Sequence, residues 1–93
     1  MNIYTAQSFL DESIIAEKIE NNDFVCFISD FDDDGAIVTM LVDGNHSYEA
    51  AKRTGNTPEF VKVENDYKTL EQYVTAFNDL SNPVNIETGR DLW

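Results

Sequence analysis

Two apolar runs separated by an acidic segment that ends in Asp34-Gly35 constrain this chain more than any other feature. The first run, Phe24-Val25-Cys26-Phe27-Ile28-Ser29, is continuous and reads as a strand buried on both faces. The second, Ile37-Val38-Thr39-Met40-Leu41-Val42, is rich in β-branched residues. An Asp-Gly step between two such runs predicts a tight hairpin, because Gly accepts the positive φ that the turn demands. A central hairpin needs cover on both faces, and the flanking segments supply it. From about Thr5 the spacing turns helical, with Leu10, Ile14, Ile15 and Ile19 apolar and Asp11, Glu12, Glu17, Lys18 and Glu20 between them. Thr5 or Ser8 is the expected cap, and Asn21-Asn22-Asp23 the stop. A second helix is predicted over 45–54, with Asn45 as cap, Gly55 just past its end and Pro58 preventing continuation. Phe60-Val61-Lys62-Val63-Glu64 alternates as a half-exposed strand does. Thr69-Leu70-Glu71-Gln72 fits a capping box ahead of the stripe Leu70, Tyr73, Val74 and Phe77. With a short β-prone stretch at 2–4, the order is β-α-β-β-α-β-α, an α/β domain with a mixed sheet and helices packed on it. The domain spans 1–80. Residues 81–93 show no period and read as a tail or as a segment docking through Val84, Ile86, Leu92 and Trp93.

Charge narrows the function classes. Eighteen acidic residues face six Lys and Arg, a net charge of −12. Sequence-independent nucleic-acid affinity comes from cations that release phosphate counterions, so this balance argues against direct nucleic-acid binding. It suits a basic protein partner, and it also keeps a small protein soluble. Cys26 is the sole cysteine, which excludes an internal disulfide and a cysteine zinc site, and its neighbours make it a buried apolar residue. No stretch is long and apolar enough for a membrane span, and Met1-Asn2-Ile3-Tyr4 lacks the basic start of a signal peptide. A cytoplasmic protein is the expectation.

The segment Asp43-Gly44-Asn45-His46-Ser47 carries the main chemical candidate. A strand that stops at Gly44 and enters a helix at Asn45 leaves backbone N–H groups pointing outward, with the positive end of the helix dipole behind them. That is an anion pocket in outline. His46, the sole histidine, either binds a ligand there or caps and packs. Asp30, Asp32 and Asp34, ahead of Gly35, spell the opening of a calcium loop, but Leu41 stands where the bidentate Glu belongs, so a solvated turn is the favoured reading over weak Ca²⁺ binding. Lys52, Arg53 and Lys62 form a basic spot or simply partner nearby acids. The acids of the first helix, Glu17 and Glu20 among them, form either a partner surface or a solvated face. Trp93 anchors a partner or fills a gap.

The run from Ile37 through Asp43-Gly44-Asn45-His46-Ser47-Tyr48 and Ala50-Ala51 to Gly55 resembles the ParB N-terminal and sulfiredoxin superfamily. The shared pattern is an apolar strand, Asp-Gly-x-His-Arg, an aromatic, then Ala-Ala and a helix ending in Gly. The resemblance covers roughly residues 1–77. It implies the ParB/sulfiredoxin-like fold, with Gly44, Asn45, His46 and Ser47 lining a nucleotide-phosphate pocket for ATP or CTP with Mg²⁺. The sequence departs from the family in ways that bear on activity. Ser47 replaces the Arg, which removes the strongest type of phosphate contact. Asn45 stands where sulfiredoxins place their reactive cysteine. The arginine-rich CTP motif and the DNA-binding helices of ParB clamps are missing. Free-serine kinases of the same fold rely on acids and a His near this turn, which leaves Asp43, His46 and Glu49 as candidate catalytic residues.

Three functions follow as expectations. The first is a degenerate, non-catalytic binding module that engages a protein partner through an acidic surface, with residual nucleotide binding. The second is a small nucleotide-dependent phosphotransferase or NTPase using His46 on phosphate and Asp43 or Glu49 in acid–base chemistry. The third is an acidic mimic of nucleic acid, of the kind some phage inhibitors use against DNA- or RNA-binding proteins. Fold alone does not choose between them.

Overall fold

Along the chain run β1 (Ile3–Thr5), α1 (Glu12–Glu20), β2 (Val25–Asp33), β3 (Ala36–Asp43), α2 (Asn45–Thr54), β4 (Glu59–Lys62), α3 (Leu70–Phe77) and β5 (Val84–Asn85). These elements come from a computed structural model that describes residues 2–77 and 79–93; the Phe77 side chain, expected in the apolar stripe of α3, lies outside the described residues, as does Met1. The result is a small α/β domain with one five-stranded mixed sheet, ordered β4-β2-β3-β1-β5.

The hairpin stands at the centre. β2 and β3 pair antiparallel from Asp33↔Ala36 at the tip to Phe27↔Asp43 at the base. Asp34 (φ 54°) and Gly35 (φ 90°) are both left-handed, the two-residue geometry whose twist matches the flanking strands. Phe27 pairs with Asp43 while Ile28 pairs with Leu41, so Val42 is an extra residue that bends β3 as it leaves the sheet. β1 lies parallel to β3, β4 parallel to β2, and β5 antiparallel to β1.

Alternation along the strands sorts the core onto two faces. Ile3, Cys26, Ile28 and Leu41 form one cluster, closed by Tyr48 of α2 with Phe60 and Ile86. Phe31, Val38 and Met40 form the other, closed by Ala6 and by Leu70, Tyr73 and Val74 of α3. Burial of these side chains, at roughly 25 cal/mol per Å² of apolar surface, does most to hold the layers together. α1 packs on α2, whose Ala50 and Ala51 are fully buried.

Two expectations need correction, both at helix starts. α1 begins at Glu12 with Asp11 as its cap, so neither Thr5 nor Ser8 starts the helix. Residues 6–11 form no regular structure and are tied to distant partners instead: Ala6 O accepts from Leu80 N–H, Ser8 N–H donates to Asp79, and Asp11 N–H donates to His46. Leu10 therefore lies outside the helical stripe and is exposed. At α2, Gly44 rather than Asn45 takes the cap position. Of the three residues weighed for weak Ca²⁺ binding, Asp30 and Asp32 lie in β2 and Asp34 in the hairpin turn, the reading favoured from sequence. Asp30 holds Lys62 and Thr39, Asp32 accepts from Gly35 N–H, and among the described residues no three His, Cys, Asp or Glu converge to hold a metal. Residues 81–93, read from sequence as a tail or a docking segment, dock: β5 pairs with β1, and Ile86 N–H donates to Ile3 O. Among the described residues no helix is long and apolar enough to cross a membrane.

Candidate functional site

The bend between β3 and α2 is shaped by a close approach of backbones. Gly44 has φ 98°, and a Cβ there would lie 2.8 Å from Val25 O and 2.9 Å from Cys26 Cα. The helix then starts with Tyr48 N–H donating to Gly44 O, and no side chain caps it. The three side chains that follow all turn to neighbouring elements. Asn45 accepts from the Thr5 hydroxyl and donates to Gln7 Oε1. His46 Nε2 accepts from Asp11 N–H at 3.1 Å, with the Phe9 ring edge-on to the imidazole at 6.2 Å between centroids. Ser47 is buried and lies near the Asp23 carboxylate, which it helps to hold down.

These contacts set the electrostatics of the bend. Lys18, 2.9 Å away, holds the Asp23 carboxyl below the usual carboxylate range, with Val25 N–H and Ser47 adding to the effect. Asp11 is lowered first by its bonds to Ser13, with His46 a minor contributor. Two carboxylates thus flank the amides at the start of α2, where a phosphate would need cations. The hollow beside Asn45, about 170 Å³, has Lys52 as its one cation and Glu49 beside it. Glu49 lies 3.7 Å from Lys52 and 4.0 Å from Arg53, and Arg53 makes a two-pronged bond to Glu12 on α1. Among the described residues no hydrogen bond or ion pair joins Asp43, His46 and Glu49. Burial pushes the Cys26 thiol up to about 11, with Asp23 adding to the rise, so it is a poor nucleophile.

A second cleft, of about 750 Å³, opens between the hairpin tip, α3 and the C-terminal segment. Asp32, Asp33, Asp34 and Glu71 line it with Thr69, Val74, Thr75, Leu80, Ser81 and Trp93, and no Lys or Arg is in that lining. Trp93 is held by two residues through three hydrogen bonds. Its indole N–H donates to Asp33 at 3.1 Å, its backbone N–H donates to Asn82 Oδ1, and its carbonyl accepts from Asn82 Nδ2. The residue is nonetheless 49% exposed. The cleft joins an ordered aromatic surface to uncompensated negative charge, which is chemistry suited to a guanidinium or ammonium group.

Sequence reasoning singled out Trp93, Asp32 and Asp34 separately and for different reasons. It missed Asp33 and Glu71, because nothing local links the hairpin tip to α3 and residue 93. Glu17 and Glu20, expected as partner surface, are exposed on α1 and do not line this cleft. No protein-family model matches the chain, and no curated protein or solved structure matches it either.

Proposed function

We propose that this chain is a non-catalytic binding module, a degenerate relative of the ParB/sulfiredoxin-like domains, that receives a basic segment of a protein partner in its acidic cleft. One observation carries the reading: four carboxylates and the pinned, half-exposed Trp93 line a single cleft that has no Lys or Arg. An ordered aromatic beside carboxylates gives a cationic side chain both a face to stack on and a counter-charge. The bend at Gly44 supports the same reading from the other direction. Asn45, His46 and Ser47 are engaged inside the fold, and Asp11 and Asp23 stand nearby. Nucleotide binding with Mg²⁺ at that bend would have to break these bonds and overcome that charge, which ranks the phosphotransferase reading second. A lone, buried thiol suits a reducing compartment, so the module belongs to the cytoplasm in this reading.

The test is calorimetric titration with a short Lys- and Arg-rich peptide, beside a thermal-shift series with ATP and CTP, with and without Mg²⁺. Peptide binding is expected to weaken about tenfold or more in Trp93→Ala and in the double variant Asp33→Asn, Glu71→Gln. Charge reversal of Glu17 and Glu20 is expected to weaken it less. No peptide binding, or binding indifferent to the cleft variants, overturns the proposal. A nucleotide-induced rise in Tm that His46→Ala abolishes favours the phosphotransferase instead.

A further inference from the structure

We infer that His46 is a proton-responsive clasp for the segment between β1 and α1, independent of any partner at the acidic cleft. The hydrogen bond from Asp11 N–H to His46 Nε2 has one possible polarity, since a backbone amide donates. Nε2 must therefore carry a lone pair, which places the ring proton on Nδ1 and requires the neutral imidazole. A protonated imidazole has a donor at both nitrogens. It would set N–H against N–H at this contact, so the clasp holds when His46 is neutral and opens as the pH falls and the ring takes up a proton.

The surroundings determine what opening does. The charged group that couples to His46 from the opposing element is the Asp11 carboxylate. That carboxylate now accepts from both the amide and the hydroxyl of Ser13, which caps α1. A protonated ring is drawn to it and competes for that cap. Nearby charges are committed elsewhere: Glu12 of α1 to Arg53, Glu49 on the same helix to Lys52 and Arg53, and Asp23 to Lys18 and Ser47. Nothing else described replaces the Asp11 contact. The stretch so loosened, between the Ser8 bond to Asp79 and the start of α1, carries Phe9 and Leu10, an exposed apolar pair, with Phe9 edge-on to the imidazole itself. Protonation thus couples the start of α1 to the presentation of this apolar pair.

The experiment is an NMR titration of the intact chain between about pH 8 and pH 5, the interval in which histidine changes charge. At the upper end, the ring ¹⁵N signals are expected to report the Nδ1–H tautomer. On acidification the Asp11 amide is expected to lose protection from hydrogen exchange about tenfold or more, in step with the His46 ring signals, after correction for intrinsic exchange. His46→Gln, which keeps an acceptor oxygen that cannot take the proton, is expected to hold Asp11 protected across the range. An Nε2–H tautomer at high pH, or an Asp11 amide equally protected at both ends, overturns the proposal. The wild-type titration decides the matter even where the variant fails to fold.

Discussion

Gly44 and Gly35 share a left-handed backbone and differ in what surrounds them. At Gly35 a Cβ would meet nothing within 4 Å, so Gly35→Ala carries only the conformational cost, about 1 kcal/mol. At Gly44 the same atom would press on Val25 O and Cys26 Cα, which belong to the rigid centre of the sheet. Gly44→Ala is therefore expected to cost more, about 3 kcal/mol, read as a larger drop in the urea midpoint. Equal losses from the two substitutions would mean that the turn can move away from β2. Ser47 makes a related point. From sequence it is the place of a missing phosphate contact; in the fold it is a buried residue beside Asp23, not one open to solvent.

At the level of elements, the edge of the sheet is fastened by side chains as well as by its ladder. Lys62 of β4 reaches Asp30 at 2.8 Å, Thr39 of β3 donates to the same carboxylate, and Ser29 donates to Val63 O. Lys62, then Thr39, holds the Asp30 carboxyl below its ordinary value. A carboxyl depressed in the folded state contributes stability that is present in full above its unfolded pKa, about 3.9, and is lost as the pH falls through the lower folded value. Asp30→Asn is accordingly expected to lower stability at neutral pH and to flatten the acid limb of the stability–pH curve. An unchanged acid limb measured by chemical denaturation contradicts this. The start of α1 shows the reverse relation between sequence and element. The spacing of Leu10 with Ile14 reads as one helix, yet bonds to Asp79, Leu80 and His46 hold residues 6–11 outside it. Local periodicity gave way to partners more than thirty residues distant.

On the scale of the whole molecule, net charge and cleft act together. Raising ionic strength from about 0.01 to 0.15 M shortens the screening length from about 30 to 8 Å, so the general field of a −12 surface fades while contacts inside the cleft persist. Binding of a basic peptide is expected to weaken steeply over that range, mainly through a slower on-rate, and Asp33→Asn with Glu71→Gln is expected to reduce the slope. Salt-independent binding, followed by stopped-flow fluorescence of the sole tryptophan, would instead mean that apolar contact supplies most of the affinity.

The hairpin, the alternation of strands with helices and the stop of α2 at Gly55 were legible in the sequence, because each rests on chemistry confined to a few consecutive residues: turn-forming Asp-Gly, β-branched runs, a left-handed stop. Only the tertiary structure decided that His46 receives the Asp11 amide and that Asp33, Glu71 and Trp93 share one cleft. The hydrogen bonds Asp11–His46 and Asp33–Trp93 join residues 35 and 60 positions apart. Strand order and packing bring them together, and no local pattern of residues carries that information.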